Sequence, residues 1–279
     1  MAVRFLVISD HHLGRTYHSV NRGYAPAWAL ERVLDAIAAH RCHDADFLLS
    51  TGDLVDEGVD EEYAFAHHLF GVRSNGMAPG PLPLQRRGLE GLPLYLVPGN
   101  HDPRDTWLRS LFPGTPPAPR LDLEWQAAGQ DFIYLDLGTS GRAGALLDSS
   151  LERLDRALER GSRPVLVLHH HPIEVGIPWI DRALPAGVDR LWSRVAGGRI
   201  RALLFGHAHV SLDATVYGIP VLATRSTCFQ FAVSQEPEFV IKPLHYRVVT
   251  VDGEAVHTQL YEVPLTGEPL ATEIGPRHK

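Results

Sequence analysis

The sequence predicts an α/β protein in which two packed β-sheets are flanked by helices. Short apolar, β-branched runs alternate with amphipathic helical patterns over most of the chain, and two patterns typical of β-hairpins follow. The length of 279 residues and the hydrophobic content of 44% are sufficient for a sizeable core. We therefore expect a single domain over residues 1–279.

Each predicted element depends on a local pattern. Residues 3–9 are the kind of apolar run that a strand covered on both faces requires. Residues 27–40 are predicted to be helical because their apolar side chains recur at i, i+3, i+4 and i+7. The other predicted elements are strands at 47–50, 94–97, 132–136, 164–168 and 202–205, and helices at 61–69, 106–111, 151–159 and 188–195. For the helix at 151–159, Ser149 and Glu152 predict a capping box.

The chain becomes β-rich after the last of these helices and strands. Two hairpins are predicted, at 213–223 and 245–261, and the second turns at Asp252-Gly253, which suits the positive φ values of a tight turn. We interpret residues 1–212 as the motif-bearing core and 213–279 as a β-rich segment of the same domain. Glycines and prolines make 71–92 a loop insertion, interpreted as a mobile surface loop in preference to a lid.

The charge and composition exclude several classes of protein. A formal net charge of −7 without a basic stripe argues against a nucleic-acid polymer as partner. The sequence shows no signal-peptide pattern and no apolar run long enough for a bilayer, so we expect a cytoplasmic protein without a membrane partner. Its two cysteines do not form a disulfide framework. Edges on the C-terminal hairpins are compatible with a homodimer or a higher homo-oligomer.

Five predicted strands end in side chains of the types that bind metal ions. In open α/β sheets, ligands bind beyond the carboxyl ends of the strands, where all of these side chains fall. The mixed nitrogen and oxygen donors suit Mn, Fe, Zn or Co, and seven donors suffice for two ions that share one carboxylate, Asp53. Two such ions can act together in a displacement at phosphorus. The predicted ligands are Asp10, His12, Asp53, Asn100, His170, His207 and His209. Strand alternation turns their neighbours His11, His169 and His171 away, which favours structural roles for them, or roles in supporting the ligands from behind.

These strand ends carry motifs that resemble those of the calcineurin-like metallophosphoesterases. The motifs are D-x-H at 10–12, G-D at 52–53, G-N-H-D at 99–102, H-x-P at 170–172 and G-H-x-H at 206–209. The resemblance implies a four-layer αββα sandwich of two mixed sheets. It also implies one metal on Asp10, His12, Asp53 and His209, and another on Asp53, Asn100, His170 and His207.

The same resemblance implies a reaction in which a metal-bound hydroxide attacks phosphorus in line. His101 would stabilise or protonate the leaving oxygen, and Asp102 would position His101. Asn100, His101 and His209 would contact the substrate.

A narrower resemblance, carried by 169–172 and 222–231, is to the bacterial class III cyclic-nucleotide phosphodiesterases. It implies hydrolysis of 3′,5′-cyclic AMP, or a related cyclic nucleotide, to the 5′-monophosphate. The alternatives are a glycerophosphodiester or a 2′,3′-cyclic nucleotide as substrate. A non-enzymatic scaffold of the same fold is disfavoured because every expected ligand is present. Phe229 and Phe231 are predicted to be core or interface residues in preference to contacts for a base.

Overall fold

The computed structural model describes residues 2–73, 78–138 and 143–265. None of the helices in these ranges has the length and apolar character needed to cross a bilayer. The helices are α1 (Pro26–Ala39), α2 (Asp60–Phe70), α3 (Arg104–Leu111), α4 (Asp148–Glu159), α5 (Pro178–Asp181) and α6 (Val188–Val195). The strands are β1 (Val3–Ile8), β2 (Phe47–Ser50), β3 (Leu82–Pro83), β4 (Pro93–Leu96), β5 (Leu123–Ala127), β6 (Gln130–Tyr134), β7 (Val165–Val167), β8 (Ala202–Phe205), β9 (Leu212–Val216), β10 (Ile219–Ala223), β11 (Gln230–Phe231), β12 (Phe239–Val240), β13 (Leu244–Asp252) and β14 (Ala255–Val263).

The described strands form two six-stranded mixed sheets and a two-stranded ribbon, β11–β12. The first sheet has the order β14-β13-β1-β2-β4-β3, in which β1, β2 and β4 are parallel. The second has the order β5-β6-β7-β8-β10-β9, in which β6, β7, β8 and β10 are parallel. Both sheets therefore have parallel strands at their centres and antiparallel strands at their edges.

Side-chain alternation divides the interior into three apolar layers. Phe5 and Val167, for example, lie in the layer between the two sheets, where the inward-facing side chains of both sheets meet. Leu6 on the other face of β1 packs under α1, α2 and α3. Leu166 on the other face of β7 packs under α4, α5 and α6. The protein is thus an αββα sandwich, which confirms the predicted fold class.

The C-terminal segment contributes strands to both sheets. The hairpin β9–β10 extends the second sheet beside β8, and the hairpin β13–β14 extends the first sheet beside β1. Its residues 266–279 lie outside the described residues. Both predicted hairpins are confirmed.

The Gly/Pro-rich segment 71–92 differs from the expected surface loop. Its residues 74–77 lie outside the described residues. The rest packs on the first sheet, because Leu82, Leu84 and Leu89 are buried and β3 pairs with β4. Arg86 also bonds Asp35 of α1 across 2.8 Å. Three leucines spaced among the turn residues are enough to anchor this segment as a sheet edge.

The start of α4 corrects another expectation. Its N-cap is Leu147, and no side chain caps the helix there, so the capping box predicted from Ser149 and Glu152 is wrong. Ser149 already lies within the first turn of the helix. The helix is held instead by apolar packing of Leu151 and Leu154.

Candidate active site

The central parallel strands of both sheets end at a common rim. β1, β2 and β4 of the first sheet, and β7 and β8 of the second, are each followed by polar residues. Contacts between these residues cross from sheet to sheet, such as Asp53 Oδ2 to His169 Nε2 at 3.3 Å. Donors that are distant in sequence are therefore brought together.

The first group of donors consists of Asp10, His12 and His209, whose ligand atoms lie within 4.8 Å of one another. All three residues are buried. His12 Nε2 lies 3.2 Å from His209 Nε2, and His209 Nε2 lies 3.4 Å from Asp10 Oδ1. Three buried donors from two sheets thus converge on one point.

The second group consists of Asp53, His169 and His207, again within 4.8 Å. Asn100 joins it, because its Oδ1 lies 3.1 Å from His169 Nε2. Asp53 Oδ2 is 3.8 Å from His12 Nε2 of the first group. Asp53 therefore lies between the two groups, as expected of a carboxylate that both share.

The structure places His169, and not His170, in the second group. Val165 and Val167 of β7 face the layer between the sheets, whereas Leu166 and Leu168 face the helices. Continued alternation directs His169 toward the site and His170 to the other side. The His170 ring lies 4.6 Å from that of His207 and next to Gly144. The structure therefore favours His169 as the donor over His170, which the H-x-P motif predicts, and the choice between them stays a prediction.

Hydrogen bonds fix the orientation of the imidazoles. His169 Nδ1 donates to Thr51 O at 2.9 Å, and His209 Nδ1 donates to Phe229 O at 2.6 Å. Because a carbonyl oxygen only accepts, Nδ1 carries a proton in each ring, and Nε2 is the nitrogen that faces the site. His207 Nε2 is buried and has no hydrogen-bond partner among the described residues. These orientations are those of metal-binding histidines.

The carboxylate of Asp56 lies close behind the His12 ring. Its Oδ1 lies 3.3 Å from His12 Nδ1, opposite the ring nitrogen that faces the site. A carboxylate behind a metal-binding histidine fixes the ring and makes it more basic. The sequence offered only the proximity of Asp56 to Asp53, which did not separate this role from that of a turn cap.

Backbone conformation also marks the site, since five of its residues are left-handed without being glycine. Such a conformation costs about 1 kcal/mol per residue and persists where the surroundings impose it. Glycines precede the donors because a Cβ on Gly99 would collide with the carboxylate of Asp53. The left-handed residues and their φ angles are Asp10 (52°), His12 (47°), Asp53 (51°), His207 (59°) and His209 (50°).

Burial and charge oppose one another at these donors. Burial alone would raise the pKa of Asp53, but the neighbouring His169 and His101 hold it well below its usual value. Burial alone would lower the pKa of His169, but the Asp53 and Asp10 carboxylates raise it to about 9. In His207 burial prevails, aided by the surrounding imidazoles, and the pKa falls. The carboxylates thus attract positive charge into a buried site.

His101 lies beside the donors with one ring nitrogen fixed. Its Nδ1 donates to Asp56 O at 2.7 Å, and its backbone N–H donates to Asp53 Oδ1 at 2.8 Å. Burial opposes protonation of His101, but Asp53 and the Asp56 carbonyl outweigh it and raise its pKa. The Nε2 of His101 is thus the nitrogen available to a bound molecule.

The expected role of Asp102 in positioning His101 stays a prediction, and the structure shows which groups its carboxylate contacts. Its carboxylate accepts hydrogen bonds from Gly99 N at 2.8 Å, Leu54 N at 3.1 Å and the Tyr63 hydroxyl at 2.8 Å. Asp102 therefore holds the loop that carries Asn100 and His101. The residue that orients the imidazole is Asp56, through its backbone carbonyl.

A family model described as "Calcineurin-like phosphoesterase" matches residues 3–211. The chain belongs to this family. The matched range includes every donor described above, and the match confirms the predicted family and its phosphoester-hydrolase activity.

Two relatives and one solved structure extend this result. The "3',5'-cyclic adenosine monophosphate phosphodiesterase CpdA" of Escherichia coli (strain K12) is 31% identical over 236 residues, which cover 82% of this chain and 78% of that protein. A "Probable cyclic nucleotide phosphodiesterase" of Rhodococcus erythropolis is 32% identical over 237 residues, with 81% and 71% covered. The structure of "GAP50 the anchor in the inner membrane complex of Plasmodium" has a TM-score of 0.57 at 13% identity, with 96% and 86% covered. At that identity the likeness concerns the fold alone.

A small open cleft lies over the site of this phosphoesterase. Asp53, Asn100, His101 and the imidazoles of His12, His207 and His209 line one part of it. The described residues of segment 71–92 are not among those that line it. The other side is apolar and carries one cation; it consists of Arg22, Trp179, Ile180, Phe229, Phe231 and Phe239.

A buried ion pair fixes the loop that carries Asn100 and His101. Arg104 at the start of α3 forms two parallel bonds to Asp136, from Nε at 2.7 Å and from Nη2 at 2.6 Å. Its Nη1 donates to Gly99 O at 2.6 Å and also to Asp102 O. Asp136 is the second residue after β6 of the second sheet. Arg104 therefore ties a loop of the first sheet to the second.

We expect Arg104→Ala to lower the free energy of unfolding by roughly 3–5 kcal/mol, because it leaves Asp136 buried without its partner. Arg109→Ala on the same helix removes an exposed ion pair with Asp60 and should cost less than about 1 kcal/mol. Chemical denaturation of both variants measures the difference. Equal losses would show that the buried pair does not hold the loop.

Proposed function

We propose that this phosphoric diester hydrolase cleaves 3′,5′-cyclic AMP, or a related 3′,5′-cyclic nucleotide, to the 5′-monophosphate. The observation that carries the proposal is the meeting of two donor groups on Asp53, in a cleft whose other side is aromatic. The donors suit a phosphodiester and the aromatic side suits a base. The relatives from Escherichia coli and Rhodococcus erythropolis, which are named as cyclic-nucleotide phosphodiesterases, support the same substrate class.

The donors fit two metal ions. In the part of the chain that the structure describes, the buried His207 Nε2 has no hydrogen-bond partner, and the Nε2 atoms of His169 and His209 face the carboxylates. One ion would be held by Asp10, His12, Asp53 and His209, and the other by Asp53, Asn100, His169 and His207. Mixed nitrogen and oxygen donors suit Mn, Fe, Zn or Co. When bound, such ions lower the pKa of water and offset the charge of a phosphate group.

The remaining residues would orient the phosphodiester and serve its leaving oxygen. Asn100, His101 and His209 line the cleft, where they could contact the substrate. His101, held by Asp56 O, would donate a proton from Nε2 to the leaving oxygen. A ribose alkoxide is a poor leaving group, so this proton is important for a cyclic nucleotide.

The size and chemistry of the cleft leave other small phosphodiesters as the alternative substrates. A glycerophosphodiester would use the same donors but would have no group for the aromatic side. A 2′,3′-cyclic nucleotide would place its base differently relative to the phosphate.

Two further expectations from the sequence stay predictions. They are the cytoplasmic location and the assembly of a homodimer or a higher homo-oligomer.

The choice between His169 and His170 as ligand is open to a direct test. We expect His169→Ala to weaken manganese binding by at least about 10-fold. Mutation of residues that only hydrogen-bond to a metal ligand already lowers metal affinity by that factor. His170→Ala, a truncation of an equally buried imidazole next to it, should retain the metal. Metal content is measured after dialysis, with circular dichroism as the control for folding. Metal loss in His170→Ala alone would restore the sequence-based assignment.

We expect His101→Ala to retain its metal and to turn over a cyclic nucleotide roughly 10²–10⁴-fold more slowly, because a general acid is lost. With p-nitrophenyl methyl phosphate, whose leaving group needs no proton, the loss should be much smaller. His257→Ala, at an exposed imidazole on β14, is the matched control. An equal loss with both substrates would remove His101 from proton transfer.

The substrate itself is tested by a panel of kcat/KM values on the manganese-loaded protein. The panel contains 3′,5′-cyclic AMP, 2′,3′-cyclic AMP, glycerophosphocholine, a phosphomonoester and p-nitrophenyl methyl phosphate. We expect 3′,5′-cyclic AMP to lead. If another diester leads, the hydrolytic chemistry stands and the cyclic-nucleotide assignment is wrong.

A further inference from the structure

Arg22 occupies the tip of a tight turn at the cleft. Asn21 and Tyr24 close the turn through two backbone hydrogen bonds, of 2.9 and 2.8 Å. Both central residues are left-handed, Arg22 at φ 50° and Gly23 at φ 86°. Asparagine, aspartate and glycine are the residues that favour such a turn, so an arginine here is unusual. The turn therefore presents this guanidinium from a fixed backbone.

The Arg22 guanidinium stacks on an aromatic ring and does not pair with a carboxylate. Its Cζ lies 4.2 Å from the centroid of the Phe239 ring and 5.5 Å from that of Phe229. Among the described residues, no carboxylate forms an ion pair with it, although the chain is acidic overall. The residue is exposed. One face of a planar cation is thus covered by an aromatic ring while the residue stays open to the cleft.

Two other aromatic rings of the cleft already pack against imidazoles of the site, and a third, Trp179, is buried against Phe231. Phe231 stacks on His209, with 4.2 Å between ring centroids and 12° between ring planes. Phe229 packs against His12 at 5.0 Å and is buried, as is Phe231. Both rings hold imidazoles of the first donor group, which agrees with the core role predicted for them. A base entering the cleft therefore meets Arg22 and Phe239 in preference to Phe229 or Phe231.

We propose that Arg22, supported by Phe239, is the stacking platform for the base of the nucleotide. This inference rests on the proposed function, since it assigns the part of the substrate that does not react. A guanidinium stacks on bases through its plane and offers hydrogen-bond donors at its edge. Arg22 lines the same cleft as Asn100 and His101, so one nucleotide can contact Arg22 with its base and the other two residues with its phosphate. A lysine side chain carries the same positive charge but has no planar group that could stack on a base.

The test compares the binding of adenosine 5′-monophosphate and ribose 5-phosphate to the manganese-loaded protein by calorimetry. The two ligands share the sugar and the phosphate, so their difference reports the base. Arg22→Ala should weaken binding of the nucleotide about 10-fold, which is the usual contribution of one stacked base to affinity. It should weaken binding of ribose 5-phosphate less than about 2-fold. Arg22→Lys should behave like Arg22→Ala. Arg87→Ala, which removes an exposed positive charge in segment 71–92 outside the cleft, should change neither affinity.

Two results would overturn the inference. Equal weakening of both ligands, restored by Arg22→Lys, would show that Arg22 acts as a charge on the phosphate. Unchanged affinities in Arg22→Ala, or a wild-type protein that binds both ligands equally, would show that no base subsite exists there. Because binding is measured without turnover, a base effect that depends on Arg22 would stand even if the kcat/KM panel rejected 3′,5′-cyclic AMP.

Discussion

Two buried carboxylates without a cationic side chain impose the arrangement of the whole site. Asp10 and Asp53 are 0% and 2% exposed, and in the described part of the chain neither has a lysine or arginine partner. Burying an uncompensated charge is costly, so positive charge and hydrogen-bond donors must surround it. Backbone amides and imidazoles supply them, such as His207 N on Asp10 and His101 N on Asp53. Strained backbone at the donors is a consequence of the same requirement.

Much of the fold and most of the donors could be predicted from the sequence because both depend on local patterns. Continuous apolar runs located the strands that carry the site, and period-3.6 hydrophobicity located the helices. Glycine precedes Asp53, Asn100 and His207, at positions where a Cβ would collide with residues of the site. The short strand β5 was not predicted, although its apolar and polar residues alternate, because a pattern of five residues with no buried side chain is a weak signal. In α4 the apolar stripe correctly predicted a helix, whereas the polar residues near its start did not predict its first residue.

The remaining features depend on contacts between distant parts of the chain. Three consecutive histidines follow β7, and only the direction of Val167 in the folded sheet decides which of them reaches Asp53. The Asp102 carboxylate accepts a hydrogen bond from the Tyr63 hydroxyl, a partner that the order of residues does not show. The pairing of Arg104 with Asp136 and of Arg22 with Phe239 likewise appears only when both sheets are assembled.

The position of β13 beside β1 constrains how the molecule can be made. Val3 pairs with Val251, so the first sheet contains a contact that spans nearly the whole described chain. The second sheet is instead built from one continuous stretch, between Leu123 and Ala223. During synthesis the second sheet can be complete while the first still lacks its outer hairpin. A ribosome-bound chain would thus carry Asp10 and Asp53 at an unfinished sheet, and slow closure of this long-range contact would set the pace at which active molecules appear.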